Sequence, residues 1–197
     1  MRDMIDKTSD KTSAEASAEA SAAKRGISIK NLTASGACLA LCLVLPFLTG
    51  QIQQVGSALA PMHVPVLLCG FICGPYYAAA VGAVAPVLRY VLFGMPPIMP
   101  IGVAMCFELA VYGAISGLLY MRLPKKTVFI YVSLVAAMLS GRLVWGLARV
   151  GLSGVAGAPF TWQLYMSGAF INAVPGIIVH IVLVPIIVIA LKKAKFI

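Results

Sequence analysis

From residue 20 to the end of the chain there is one acidic side chain, Glu108, and from residue 31 onward the stretches between charged residues are long enough to cross a bilayer. The hydrocarbon core is about 30 Å thick and takes ~20 helical residues to span. A lipid-facing backbone must pair its own N–H and C=O groups, so these spans are expected to be helices. Period-two alternation is absent, which argues against an outer-membrane barrel. Apolar residues make up 61% of the 197, and mean hydropathy is +0.98, an excess that a soluble domain could not cover with polar surface. The fold class is therefore all-α, a polytopic membrane protein.

Charge placement orders the spans. The net charge of +9 sits in small groups beside apolar runs and not along one amphipathic face, so membrane orientation accounts for it better than nucleic acid. Residues 1–30 repeat Asp-Lys-Thr-Ser and Ala-Glu-Ala-Ser and hold no hydrophobic run, as expected of a disordered cytoplasmic tail. The first apolar core begins near Thr33, too late for a cleaved signal peptide, so the first helix is expected to be retained. Spans are placed at about 31–48, 57–74, 76–93, 99–121, 128–150 and 163–191, which makes residues 31–197 one six-helix transmembrane domain. Pro61, Pro65, Pro75 and Pro86 interrupt the second and third, and a merged helix there would leave five. Three basic clusters decide between the counts: Lys24, Arg25 and Lys30; Arg122, Lys125 and Lys126; Lys192, Lys193 and Lys195. Six spans put all three in the cytoplasm with both termini, as the excess of Lys and Arg in cytoplasmic loops requires.

Polar residues inside the spans carry the functional signal, because a charge facing lipid costs several kcal/mol (about 3 or more) and needs a partner or an aqueous cavity. Glu108, Arg142 and Asn172 each fall about nine residues, or ~13 Å, from the outer ends of the fourth, fifth and sixth spans, a common depth that describes a site. Arg142, Trp145 and Arg149 share one face at i, i+3, i+7 spacing, and Glu108 and Tyr112 are i, i+4 neighbours. Glu108 and Arg142 either form a buried ion pair or touch ligand directly, and both can hold together. Arg149 and Arg89 lie nearer the outer rim, where snorkelling to headgroups competes with a ligand role. Gln51, Gln53, Gln54 and His63 are expected in a first outer loop, from Gly50 to His63, that closes over a polar ligand. His180, counted about 17 residues into the last span, is read as a packed histidine bonded to backbone, deeper than the site.

The first span carries two ladders of small residues, Gly36 to Ala40 and Ala34 to Cys38 to Cys42, which permit close helix approach, either to this chain's own helices or to a partner. All five cysteines lie in apolar segments, where the thiol behaves as a small apolar group, and no spacing for a metal site accompanies them. There is no Gly-xxxx-Gly-Lys-Ser/Thr stretch to hold nucleotide phosphates, so any use of ATP is expected in partner subunits. With Glu108 the lone intramembrane carboxylate, a metalloprotease or prenyl-type enzyme lacks its acids, and the chain is not expected to be an enzyme.

Taken together, the six short spans, the small-residue first helix, the run Pro61-Met62-His63-Val64-Pro65-Val66, the Gly74-Pro75 pair and Gly94-Met95-Pro96-Pro97 resemble the substrate-binding S component of energy-coupling factor (ECF) vitamin transporters, a bacterial cell-membrane family, with features of its pantothenate-type branch. The resemblance covers about residues 31–197. It implies that helix one docks through Ala34, Gly36, Cys38 and Ala40 onto a transmembrane coupling protein driven by two ATPase subunits. It also implies that the chain binds a vitamin and needs no cofactor of its own. Arg142 and Arg149 suit the carboxylate of pantothenate, whereas Trp145 and Tyr112 suit a flat ring such as riboflavin. A stand-alone carrier is the alternative, for which paired internal repeats would be expected.

Overall fold

A computed structural model of the chain describes residues 29–49, 59–156 and 161–194. The chain divides into two units, Met1–Lys30 and Asn31–Ile197; residues 1–28 of the expected tail, and Gln51, Gln53 and Gln54, lie outside the described residues. Helix α1 runs Ile29–Val44 and tightens into a 3₁₀ turn, Leu45–Thr49, where Pro46 has no N–H to give the carbonyl four residues back. Helices α2 (His63–Cys73) and α3 (Pro75–Phe93) follow, then a π-turn, Ile98–Gly102, leading into α4 (Val103–Arg122). Helix α5 spans Thr127–Ala156. A short α6 (Trp162–Met166) with its own π-turn, Ser167–Ile171, precedes α7 (Val174–Lys193). Among the described residues, five helical spans are long and apolar enough to cross a membrane, with His63–Cys73 a shorter sixth.

Helices α2 and α3 are separate and antiparallel, joined by the single residue Gly74 at φ +89°, a conformation that glycine reaches without a Cβ clash. Their directions follow from what each touches on α4. A Cβ on Gly70 would meet Ser116 and Gly113, and His63 lies against Glu108, so α2 runs parallel to α4. On α3 the order reverses: Pro75 lies at Gly117, Ala78 at Gly113 and Gly82 at Leu109. A Cβ on Gly82 would sit 2.3 Å from the Leu109 carbonyl oxygen, and one on Gly113 2.5 Å from that of Ala78. Backbone touches backbone, as small residues at membrane helix interfaces allow. The sequence shows this as Ala78-xxx-Gly82 and Gly113-xxx-Gly117, ladders at least as strong as those on α1.

Among the described residues, the start of α1 at Asn31, the turn at residues 122–126 and Lys192 gather at one end of the bundle. Gly74 packs near Met121 at the Arg122 end of α4, Asn31 at the start of α1 donates to the Cys73 carbonyl, and Lys192 Nζ donates to the Lys125 carbonyl. Lys125 also lies 3.5 Å from the centroid of the Tyr120 ring. Partial burial and the neighbouring Lys192 ammonium hold its pKa below the ordinary lysine value. By the same cytoplasmic preference of Lys and Arg, this is the inner end.

Several expected boundaries change. The second span reduces to 11 residues, ~16 Å of helix, because Ala60 (φ +46°) and Pro61 turn the chain and the His63 N–H closes on the Ala60 carbonyl at 3.0 Å. His63 therefore begins a helix and does not sit in an outer loop. The expected 163–191 helix breaks at Asn172–Ala173, since Pro175 in the first turn of α7 clashes with a helical carbonyl four residues earlier. Met99 is extended (φ −113°, ψ 135°), so regular helix in the fourth span starts at Val103, and α5 continues past the expected span end at about 150 as helix to Ala156.

Arg89 does not snorkel. It is buried, donates through Nη1 to the Leu43 carbonyl at 3.1 Å and lies against the rings of Phe47 and Phe93, which meet edge-on with centroids 5.0 Å apart, tying the end of α1 to α3. Replacing Gly82 with Ala is expected to destabilise the protein by about 1–3 kcal/mol through overpacking. At Gly151, where a Cβ meets nothing within 4 Å, the same change should be neutral or stabilising by up to about 1 kcal/mol. Thermal unfolding of the two variants in detergent reads the difference, and equal effects would refute the backbone contact.

Candidate functional site

Four helices bring their polar residues to one place. Glu108, in the second turn of α4, is buried, and its Oε1 lies 3.0 Å from Arg142 Nη1 on α5. His63, the first residue of α2, puts Nε2 3.7 Å from the same oxygen. Tyr112, one turn beyond Glu108, meets the His63 ring edge-on, with centroids 5.3 Å apart and planes at 65°. Its own ring lies where a Cβ on Gly141 would come within 2.0 Å, so glycine on α5 is what lets the phenol lie between the helices. His180 of α7 completes the group, 5.8 Å from His63 by ring centroids, its Nε2 3.3 Å from the Ala60 carbonyl.

The two fixed charges, Glu108 and Arg142, cancel. Their mutual attraction offsets a desolvation cost that neither side chain could bear alone. Hydrogen bonding is nevertheless incomplete: among the described residues, Nδ1 and Nε2 of His63 and Nε of Arg142 are buried without a hydrogen-bond partner, Nε2 reaching Glu108 only as an ion-pair contact at 3.7 Å. Buried polar groups are paired in the great majority of cases, so these atoms make the cluster the candidate site. Beside it an apolar recess of about 80 Å³ opens between α5 and α7, lined by Val135, Met138, Leu139, Arg142, Ile177 and Ile181. Arg142 is common to both.

A second layer lies further toward the outer end of α5. Trp145 stacks on Tyr165 (centroids 6.4 Å, planes at 25°), Tyr165 contacts Trp162, and Arg149 lies 5.9 Å over the Trp145 ring. Gly146 and Gly168 make room for these rings. Thus Arg142, Trp145 and Arg149 do share one face, but they serve two layers: Arg142 the buried cluster, Trp145 and Arg149 the aromatic one.

Of the residues singled out in the sequence, the structure brings Glu108, Tyr112, Arg142 and His63 together and sets Trp145 and Arg149 beside them. Asn172 is not brought in. It is exposed in the turn before α7, donating Nδ2 to Ser167 Oγ at 3.0 Å, because the helix break invalidates a depth counted from Gln163. The same break brings in His180. Its backbone contact is the one expected, but it is the seventh residue of α7, level with His63. The proline at position 175 is the sequence signal that would have found it.

On α1 the two ladders part company. Gly36 and Ala40 are exposed on a face shared with Thr33 and Ala37, and a Cβ on Gly36 would meet nothing within 4 Å. Cys38 and Cys42 are buried and Ala34 half-buried; Cys42 Sγ donates to the Met62 carbonyl at 3.5 Å. The second ladder packs within the chain, so Cys38 does not belong to an outward docking face.

The sequence profile of the family described as ECF transporter, substrate-specific component matches residues 30–188. The chain belongs to that family. No curated protein and no solved structure matches it. Membership makes this protein the substrate-binding subunit of an ECF transporter, a membrane protein that associates with the transporter's other components, in a class that is not one of enzymes. Exchanging Arg142 for Ala should cost about 3–5 kcal/mol, because it leaves Glu108 buried and unpaired. Exchanging both Arg142 and Glu108 for Ala should cost less than the sum of the two single changes. A double-mutant cycle by chemical unfolding in detergent measures this, and strict additivity would show that the pair does not interact.

Proposed function

We propose that this substrate-specific component captures a small B-type vitamin from outside the cell in the cluster of His63, Glu108, Tyr112, Arg142 and His180. It then passes the vitamin on through a transmembrane coupling protein driven by two ATPase subunits, in the bacterial plasma membrane. The observation that carries this reading is His63: a buried imidazole with neither ring nitrogen hydrogen-bonded among the described residues, facing a compensated ion pair. The aromatic layer of Trp145 and Tyr165 supplies stacking surface on the outer side. Arg142 and Arg149 speak for pantothenate, the rings for riboflavin. Asn172 has no supporting geometry, and Gln54 lies outside the described residues. ATP is used by the partner subunits, and this chain holds no cofactor.

Partner docking is assigned to the exposed small face of α1, through Gly36 and Ala40, since small residues on an open face allow another helix to approach closely. The purified chain is expected to bind one vitamin of a B-type panel with sub-micromolar affinity by isothermal titration, and to release none of it on addition of Mg-ATP when alone. Arg142→Ala should abolish binding. Gly36→Leu should spare binding and abolish uptake once the full transporter is assembled in vesicles. Absence of binding across the panel would overturn the vitamin reading, and equal loss in both assays for both variants would overturn the division between pocket and docking face.

A further inference from the structure

The buried cluster also says what kind of group a ligand can present to it. Glu108 is the one acid beyond residue 19, and it already holds Arg142 Nη1 at 3.0 Å. A carboxylate entering here would have to share that guanidinium with Glu108, setting two anions side by side in a site closed to water, where like charges disfavour ionisation of both. The cation that the sequence offers to an anionic ligand is thus already claimed. Arg149 is seven residues further along α5, ~10 Å by helical rise, and it faces the Trp145 ring.

What the cluster does leave open is neutral hydrogen-bonding capacity. Arg142 Nε is a donor and can only meet an acceptor. His63 turns Nε2 toward the Glu108 carboxylate at 3.7 Å, which leaves Nδ1 to be satisfied, and an uncharged imidazole that donates on one nitrogen accepts on the other. The complementary ligand therefore offers an acceptor to Arg142 Nε and a donor to His63 Nδ1, as amides, lactams and hydroxylated rings do. Its polar edge would lie against Tyr112 and His63. The adjoining recess of about 80 Å³, apolar except for Arg142, is of a size for a methylated or unsubstituted ring edge and offers nothing to a second charge.

We infer that the substrate of this component is an uncharged vitamin presenting amide or hydroxyl groups on a ring, of the riboflavin or pyridoxine type, and not a carboxylate such as pantothenate. The inference rests on the vitamin-capture reading above and narrows it. It is carried by the balanced Glu108–Arg142 pair beside the open nitrogens His63 Nδ1 and Arg142 Nε.

The test uses the full chain in detergent, titrated with four uncharged probes (riboflavin, pyridoxine, nicotinamide, pantothenol) and three carboxylates (pantothenate, nicotinate, biotin). The tightest ligand is expected to be uncharged and to bind at least tenfold tighter than any carboxylate. In Glu108→Gln, which frees Arg142 and leaves the cluster one charge more positive, that gap should shrink by at least tenfold. A carboxylate binding tightest to the wild-type protein, or a gap unchanged in Glu108→Gln, overturns the inference while leaving vitamin capture standing. If no probe binds and mass spectrometry of the denatured preparation finds no co-purified vitamin, both fall. Should Glu108→Gln fail to fold, the wild-type order of affinities decides by itself.

Discussion

The backbone contact among α2, α3 and α4 is the constraint on which the rest of this structure depends. In a bilayer the lipid tails are as apolar as leucine, so helices gain little from burying leucine against leucine and much from fitting closely. Gly70, Ala78 and Gly82 meet Gly113, Ser116 and Leu109 at distances that leave no room for another Cβ. That fit fixes the register of α2 along α4. Register in turn decides that His63, the first residue of an 11-residue helix, arrives opposite Glu108 and not a turn above it. The one-residue Gly74 hairpin is part of the same device, because a longer connection would not hold α2 and α3 against the same groove.

With the three helices locked, the Glu108–Arg142 pair joins α5 to them and the Tyr112 ring over Gly141 sets the spacing. A buried ion pair is weak evidence of stability, since desolvation offsets much of its attraction. Here its more telling property is that hydrogen bonding around it is incomplete. A cluster meant only to hold helices together would be expected to satisfy its own donors and acceptors. This one leaves Nδ1 of His63 and Nε of Arg142 without hydrogen-bond partners among the described residues, which suits a subunit whose task is to bind a substrate.

The remaining helices divide between inward and outward duties. Helix α1 is held to α2 by its cysteine face and to α3 by Arg89, whose guanidinium takes up a carbonyl near the point where Pro46 disrupts the helix. Its other face, with Gly36 and Ala40, stays open. One helix thereby presents small residues in two directions, one set for its own bundle and one available to another component of the transporter. Helix α7 is almost uniformly apolar, and His180 is the polar group it contributes to the interior.

Composition and charge placement made the membrane fold, the count of six segments and the grouping of basic residues legible from the sequence alone, because hydrophobic length and Lys/Arg bias are summed over many residues and tolerate local error. Glu108 and Arg142 were legible for a related reason: a charge in hydrocarbon is costly wherever it sits, so it marks a site without any knowledge of neighbours. Depth counting failed where a proline moved a helix start, and so Asn172 was placed in the site and His180 outside it. Facing failed on α1, where Gly36 and Cys38 read as equivalent small residues although two positions apart on a helix they point to different sides. Which side is inward depends on the partner helix, and that is decided only when α2 settles on α4. The sequence by itself determined that this chain crosses the membrane and carries a polar centre; the tertiary structure alone decided which residues form that centre, because membership depends on contacts between helices distant in the chain.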